Sequence, residues 1–215
     1  SARLPKTRQA ALQSHSRRTS KTAMKPTEIT GLILAGGRGT RIGGRDKGLV
    51  NLHGVPLVSH VADRIRPHVE GLLVSCNRNE TSYAKLGFDT VIDHTAGFAG
   101  PLAGIDASVE RVHTPCVFCC PCDMPFIPDD VVPRLHAALT PGRDVVYVHD
   151  GERAQPLVCL IRTRAIRSIR PYLDGGGRSV LGWMDDIAAA ELRWQNAAGN
   201  DGPFVNLNRP EDFMP

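Results

Sequence analysis

The sequence predicts a single-domain α/β fold, in which helices cover both faces of a mostly parallel sheet. Strand and helix signals alternate along the 215 residues, and this alternation is typical of strand–helix–strand units. Neither an internal repeat nor a long linker divides the sequence. Ligands in such folds bind at the carboxyl ends of strands, so the residues that follow each predicted strand are the first candidates for a functional site.

The first half of the chain contains four predicted strands. Residues 29–35 form a short apolar run that ends at Gly36 and Gly37, which predicts a buried strand. Later runs predict strands at 72–76, 90–92 and 116–120. Helices are predicted between the strands at 57–69, 82–86 and 102–112. Pro101 suits the first turn of the last of these helices.

The second half continues the alternation with shorter elements. Asp129 lies near the start of a predicted helix over 129–139, where an aspartate stabilises the first turn. Two further helices are predicted at 165–173 and 179–184. Strands are predicted at 144–149, 157–161, 191–194 and 204–206.

The N-terminal segment differs in composition from the rest of the chain. Residues 1–24 have no apolar period and are rich in Ser, Thr, Arg and Gln, which predicts a disordered basic extension before one folded domain over 25–215. An organelle transit peptide would have a similar composition, whereas a secretory signal would need an apolar core. Residues 1–25 contain seven basic and no acidic residues. The remainder has 19 basic and 22 acidic residues, a net charge of −3, so charge gives no reason to expect a nucleic-acid partner.

Cysteines crowd into one of the predicted strands. Four of the six fall within seven residues, at positions 116, 119, 120 and 122. Because neighbouring side chains on a strand point to opposite faces, four thiolates there cannot converge on one metal ion. We therefore predict small buried hydrophobic residues rather than a zinc site. No apolar run approaches the roughly 20 residues that span a bilayer, and six free thiols without a secretory signal favour a cytoplasmic protein.

A glycine-rich loop follows the first predicted strand. Five glycines fall within residues 36–44, and Arg41 and Lys47 add positive charge. Glycine lets the backbone approach a phosphate closely with its N–H groups, and the two cations would bind the same phosphates. A flexible surface turn is the alternative, but a turn needs only one or two glycines. The loop therefore predicts a phosphate-binding site.

The loop departs from the two best-known phosphate loops and resembles a third. Arg45 and Asp46 stand where a Walker A loop has Lys followed by Ser or Thr, and Ile42 stands where a dinucleotide fingerprint has its third glycine. From Leu34 to Gly48 the pattern is Leu-Ala-Gly-Gly-x-x-x-Arg-Ile-Gly-Gly-x-Asp-Lys-Gly. This pattern resembles the signature of the molybdenum cofactor guanylyltransferases, which belong to a wider nucleotidyltransferase group with a Rossmann-like fold.

Four further motifs carry the same resemblance, in order, towards the C-terminus. They are Gly-Pro-Leu-Ala-Gly at 100–104, Cys-Pro-Cys-Asp at 120–123 followed by Pro125, His-Asp-Gly-Glu-Arg at 149–153, and Phe-Val-Asn-Leu-Asn at 204–208. The resemblance implies that Arg41, Lys47 and Asp123 are catalytic. It implies nucleotide binding by Leu34, Ala35, Gly36, Gly37, Lys47, Ser75, Asn77, Asp93 and Asp123.

Asp123 is also a candidate metal ligand on physical grounds. It follows a predicted buried strand, where an unpaired carboxylate is costly unless it binds something. Magnesium prefers one or two carboxylates together with substrate phosphate oxygens. The resemblance likewise makes Asp123 a ligand of Mg²⁺. An aspartate that caps a helix or a turn is the alternative.

Several other residues have roles that only the resemblance implies. Asp93 would contact the nucleotide, or else form a local turn with its own backbone. The family usually has Asn-x-Asn where this chain has Ser75 and Asn77, so we expect Ser75 to alter or lose one hydrogen bond to the nucleotide. Asn206 and Asn208 would lie on the acceptor side, or else satisfy backbone groups at a strand end. Arg153, Gln155 and Arg178 would meet the acceptor pterin or its phosphate, or are simply solvated.

The implied reaction is magnesium-dependent transfer of GMP from GTP to molybdopterin, which gives molybdopterin guanine dinucleotide and pyrophosphate. The expected partners are GTP and molybdopterin or molybdenum cofactor, with other cofactor-biosynthesis proteins and apo-molybdoenzymes as further candidates. Two alternatives remain: a cytidylyl- or sugar-phosphate nucleotidyltransferase on the same fold, and a non-catalytic nucleotide-binding module that delivers cofactor. Nucleotide preference separates the first alternative, and tolerance of the loss of Asp123 separates the second.

Overall fold

Strands and helices alternate along the part of the chain that the computed structural model describes, which comprises residues 28–37, 44–93, 100–195, 202–208 and 212. The strands are β1 (Ile29–Leu34), β2 (Asn51–Leu52), β3 (Val55–Pro56), β4 (Gly71–Ser75), β5 (Asp89–Val91), β6 (Cys116–Pro121), β7 (Val145–His149), β8 (Ala154–Arg162) and β9 (Ala189–Arg193). The helices are α1 (Leu57–Ile65), α2 (Glu80–Lys85), α3 (Pro101–Ser108), α4 (Val131–Ala138), α5 (Thr163–Ile166), α6 (Ile169–Asp174) and α7 (Val180–Asp185). The predicted extension over 1–24 lies outside the described residues.

Seven of the strands form one sheet, in the order β5-β4-β1-β6-β8-β7-β9. β1 lies parallel to both β4 and β6, β4 is parallel to β5, and β7 is parallel to β9. β8 runs antiparallel to its neighbours β6 and β7. The predicted single α/β domain with a mostly parallel sheet is therefore confirmed.

The helices cover both faces of this sheet. On one face, α1 and α4 pack against side chains such as Ile33 and Phe118. On the other face, α3, α5, α6 and α7 pack against Leu32 and Val117. Successive residues of β1 and β6 thus enter opposite cores, as the alternation of strand side chains requires. None of the helices in the described ranges is long and apolar enough to cross a membrane.

The structure departs from the sequence-based elements at three places. The predicted helix over 165–173 is interrupted, and α5 and α6 replace it. The reason is that Pro171 has no backbone N–H to donate to the carbonyl four residues earlier. The hairpin of β2 and β3 was not predicted, since strands of two residues show no alternation. The predicted strand over 204–206 is wrong: residues 202–208 form no strand and are held by single contacts described below.

The cysteines are buried free thiols, as predicted. Cys119 and Cys159 lie in the core beside α3, whereas the other four lie in the core beside α1. Burial raises the pKa of the Cys76 thiol to about 11, with the charges of Asp46 and Glu80 adding to the effect. Within the described ranges, no group of three or more His, Cys, Asp or Glu side chains is placed to hold a metal ion. The thiols therefore act as small hydrophobic residues.

Candidate active site

Four parallel strands, β5, β4, β1 and β6, end at the same edge of the sheet. The backbone ladder continues past their last residues, because Ala35 N–H donates to the Ser75 carbonyl at 2.8 Å and Cys122 N–H donates to the Leu34 carbonyl at 3.1 Å. Asn77 and Asp93 follow β4 and β5 at the same edge. The residues that were predicted from separate strand ends therefore meet in space.

A cavity of about 420 Å³ opens at this edge. It has the size of a pocket for a small molecule or nucleotide. Its lining includes most of the predicted nucleotide-binding residues and several residues from the Gly-Pro-Leu-Ala-Gly motif and neighbouring strands. The lining residues are Leu34, Gly36, Gly37, Ser75, Asn77, Asp93, Gly100, Pro101, Gly104, Pro121 and Leu157.

The walls of the cavity are close-packed at two points. A Cβ atom on Gly104 would lie 2.3 Å from the Ser75 hydroxyl oxygen, so the first turns of α3 can approach β4 only with glycine there. Ser75 is itself only 3% exposed. Asn77 accepts a hydrogen bond from the Asp93 backbone N–H at 3.1 Å, which fixes the loops after β4 and β5 to each other. The amide nitrogen of Asn77 lies 3.5 Å from where a Cβ on Gly36 would be.

A charged cluster occupies the neighbouring part of the same edge. Lys47 Nζ donates to Asp123 Oδ2 at 2.5 Å and to Asn208 Oδ1 at 2.6 Å. The side chains of Lys47 and Asp123 are 19% and 15% exposed. The cluster therefore joins the end of the glycine-rich loop, the residue after β6 and the C-terminal segment.

Asp123 has one carboxylate oxygen still available. Its Oδ2 accepts from Lys47, whereas its Oδ1 is buried and has no hydrogen-bond partner among the described residues. A buried carboxylate oxygen without a partner is costly, and a bound cation would remove that cost. The donor set fits a hard divalent cation that takes its remaining ligands from water and phosphate.

The C-terminal segment is fixed against this cluster by a few single contacts. Leu207 N–H donates to the Asp123 carbonyl at 3.0 Å. Phe204 packs edge-on against Trp194, with ring centroids 5.2 Å apart, and the Arg134 guanidinium lies 3.6 Å from the Trp194 centroid. Through these contacts of Phe204 and Leu207, the segment is held against the cluster without forming a strand.

The remaining candidate residues differ in where they lie and what they contact. Arg41 lies outside the described residues. Asn206 contributes its backbone carbonyl, which accepts from the Asn208 amide at 3.2 Å. Arg178 donates to carbonyls at the end of α6, including that of Leu173 at 2.7 Å, and so has a structural role. Arg153 belongs to the exposed turn between β7 and β8.

Among the site residues that the sequence-based predictions missed, two lie beside the glycine-rich loop. Arg78 donates to backbone carbonyls at both ends of the glycine-rich loop, and Asp46 is buried beside Lys47. Arg78 directly follows Asn77 and Asp46 directly precedes Lys47, but adjacency to a predicted site residue does not indicate which groups these side chains contact.

Comparison with known proteins agrees with this arrangement. Residues 31–188 match the family model described as the MobA-like NTP transferase domain. A molybdenum cofactor guanylyltransferase from Cupriavidus necator is 44% identical to this chain, over 86% of this chain and 94% of the relative. A protein of the same name from Shewanella putrefaciens is 40% identical, over 87% of this chain and 95% of the relative.

A solved structure has the same fold. The molybdopterin-guanine dinucleotide biosynthesis protein A from Archaeoglobus fulgidus superposes with a TM-score of 0.69 at 23% identity, over 86% of this chain and 94% of the other.

Proposed function

The chain belongs to the MobA-like NTP transferase family, and we propose that it transfers GMP from GTP to molybdopterin, with release of pyrophosphate. The observation that carries this proposal is the pairing of Lys47 with Asp123 beside a nucleotide-sized cavity, in a chain that is 44% identical to a molybdenum cofactor guanylyltransferase over most of its length.

The reaction needs positioning and charge neutralisation more than proton transfer. A phosphate oxygen of molybdopterin attacks the α-phosphorus of GTP and forms the new P–O bond. The bond between the α-phosphorus and the bridging oxygen breaks, and that oxygen leaves with the pyrophosphate. Because the attacking group is already an anion, no side chain has to act as a general base.

Lys47 is suited to stabilise the developing charge. Its ammonium group has three N–H donors, and Asp123 and Asn208 accept from two of them in the described structure. The third donor can contact a phosphate oxygen of the transferring or leaving group. Side chains that are mostly removed from water make such a contact stronger than it would be in bulk solvent.

We also propose that Asp123 holds Mg²⁺ through its Oδ1 atom. The support is the buried oxygen that has no partner among the described residues. When bound, the ion supplies charge neutralisation at phosphate oxygens. Asp123 binds and orients that charge, and Lys47 keeps the carboxylate in place from the other oxygen.

The cavity is the proposed site for the guanosine part of GTP. Guanine presents two donors on one edge, so its site must offer acceptors, and the Asp93 carboxylate is a candidate because Asp93 lines the cavity. Cytosine would place an acceptor where guanine has a donor, and leaving a buried polar group unpaired costs about 1–3 kcal/mol.

The six free thiols further support a reducing compartment as the place of action.

Nucleotide turnover with a molybdopterin acceptor tests the proposal. Purified protein, molybdopterin and Mg²⁺ would be mixed with GTP, CTP or ATP, and both pyrophosphate and the dinucleotide product would be measured. We expect GTP to be preferred by about tenfold or more in kcat/KM, since one mispaired buried group has that effect. Efficient use of CTP would instead assign a cytidylyltransferase, and tight GTP binding without turnover would assign a cofactor-delivery module.

A further inference from the structure

We propose that Arg78 is a positioning residue that closes the base of the glycine-rich loop and thereby fixes Lys47 for the transfer reaction. This inference rests on the proposed function, because Lys47 matters in it as a stabiliser of phosphate charge. Arg78 belongs to the turn between β4 and α2, and none of its described contacts is with the cavity residues' side chains.

The guanidinium of Arg78 bridges the two ends of the loop. One terminal nitrogen donates to the Gly44 carbonyl at 2.7 Å. The other donates to the Arg45 carbonyl at 2.7 Å and approaches the Gly37 carbonyl at 3.4 Å. Gly37 and Gly44 flank residues 38–43, so a single side chain ties together the points where the loop begins and ends.

These carbonyl contacts also set the direction of backbone N–H groups. The described residues contain no cis peptide bond, and in a trans peptide the C=O and N–H point in opposite directions. With the carbonyls of Gly44 and Arg45 turned to the guanidinium, the N–H groups of Arg45 and Asp46 point away from it. Backbone N–H groups aligned in this way are typical of anion-binding loops.

Asp46, which directly precedes Lys47, is also held in place by side-chain contacts. Its side chain is buried, and it accepts from the Tyr83 hydroxyl at 2.6 Å and from the Asn79 amide at 3.0 Å. Arg78 Nε lies 3.9 Å from the same carboxylate. Burial raises the pKa of the Tyr83 hydroxyl, and the hydrogen bond to Asp46 adds to the effect, so Tyr83 stays a donor.

Both chain neighbours of Lys47 are held in place, Asp46 by the contacts above and Gly48 by close packing. A Cβ on Gly48 would lie within 2.4 Å of the Tyr83 hydroxyl oxygen, which shows how closely the chain packs on α2 there. With Asp46 and Gly48 both fixed, the Lys47 side chain leaves the loop from a defined point and reaches Asp123 and Asn208. A looser base of the glycine-rich loop would displace the ammonium group of Lys47 without removing it.

Substitution of Arg78 tests the proposal. In Arg78→Ala we expect kcat to fall by about tenfold to a hundredfold, because a displacement of roughly 1 Å in a reacting group costs up to about a hundredfold. The Kd of a fluorescent GTP analogue, measured without acceptor, should rise by about tenfold, since charge-assisted hydrogen bonds hold the phosphate loop. The control is Arg164→Ala, which removes an exposed ion pair with Asp144 and should change neither quantity.

Two further measurements separate positioning from general destabilisation. Guanidinium ion added at millimolar concentrations should restore several-fold of the lost kcat in Arg78→Ala, and it should restore none in Lys47→Ala. If Arg78→Ala fails to fold, Arg78→Lys carries the test: it keeps the charge but cannot reach three carbonyls in one plane. We expect it to keep the parent Tm within a few degrees while kcat falls.

The outcomes are distinct for the two proposals. A parent protein that turns over GTP, with Arg78 variants that keep the parent kcat and Kd, would overturn the positioning role alone. A parent protein that binds GTP but does not transfer GMP to molybdopterin would refute the proposed function. In that case the Kd of the Arg78 variants still decides whether the residue organises the loop.

Discussion

The cavity and the charged cluster lie side by side at one edge of the sheet, yet they are formed by different types of residue. The lining of the cavity includes four glycines, among them Gly36 and Gly104, and the small side chain of Ser75. The cluster consists of the side chains of Lys47, Asp123 and Asn208. Under the proposed function, we therefore expect selection of the substrate by shape and stabilisation of charge to be separable. Changes in the cavity should act on substrate affinity, and changes in the cluster should act on turnover.

The two regions also differ in how far apart their members lie in the sequence. The cavity comes mainly from the first four parallel strands and α3. In the cluster, Lys47 is 76 positions from Asp123 and 161 positions from Asn208. The cavity can therefore be anticipated from local motifs, whereas the cluster depends on the whole fold.

The largest expected effect is that of Asp123→Asn, which keeps the shape of the side chain and removes its charge. We predict that kcat falls by about a thousandfold, because the change removes the negative charge that would hold Mg²⁺ and that pairs with Lys47. The GTP-analogue Kd without metal should stay within a few-fold of the parent. The steady-state rate and a magnesium titration measure these effects. Equal magnesium affinity in parent and variant would contradict the assignment of Asp123.

The matched control for this variant is Asp129→Asn. Asp129 lies six positions further along the chain and pairs with Arg64 at the surface, where its side chain is 74% exposed. Surface ion pairs contribute little, so kcat, KM and Tm should remain close to those of the parent. A large loss in this control would mean that the segment after β6 tolerates no substitution.

Lys47→Ala is expected to have the next largest effect. We predict a fall in kcat of about a hundredfold with a smaller change in KM, since a charge that contacts the transition state more strongly than the ground state acts on turnover. Lys85→Ala, on the exposed face of α2, is the control that removes an equal charge. A variant at position 47 that lost affinity but kept kcat would place Lys47 with the cavity rather than the cluster.

Gly104→Ala should produce the smallest of the three effects and should act on the cavity alone. The new Cβ would meet the Ser75 hydroxyl at 2.3 Å, so β4 and α3 must separate slightly. We predict that KM for GTP rises by up to about tenfold, because relief of the overpacking shifts the cavity wall, while kcat changes little. Combining it with Ser75→Ala should recover part of the affinity, because the nearest clashing atom is removed.

Gly71→Ala serves as the control for Gly104→Ala. Gly71 begins β4, and a Cβ there would meet no atom within 4 Å. Its kinetic constants should match those of the parent. If Gly104→Ala lowered kcat as strongly as Lys47→Ala, the proposed division between the two regions would be wrong.

Most of the fold and the cavity could be predicted from the sequence. Continuous apolar runs indicate buried strands, and residues at the carboxyl ends of these strands line the cavity. The break before α6 was also visible in principle, because Pro171 has no backbone N–H to continue the helix from the preceding turn. The strand predicted over 204–206 was wrong because a short apolar run is equally compatible with a segment held by single contacts of Phe204 and Leu207.

The rest depended on contacts between distant segments. Nothing near Asn208 indicates that its amide would accept from Lys47, since 161 positions separate them. Arg78 was equally hard to assign, because an arginine in a turn is usually solvated and its acceptors here are backbone carbonyls with no sequence signal. Such contacts follow from the three-dimensional arrangement rather than from residue type.

The attachment of residues 204–208 has a consequence for the order in which the molecule becomes competent during translation. The nucleotide cavity draws on residues up to Leu157, whereas the last member of the charged cluster is Asn208. A growing polypeptide that has emerged only as far as β9 already has every strand of the sheet, but Lys47 still lacks one acceptor and the Asp123 carbonyl lacks the Leu207 donor. The lining of the cavity is thus complete in an emerged chain that still lacks the final contact on Lys47, so we expect binding at the cavity to need less of the chain than turnover does.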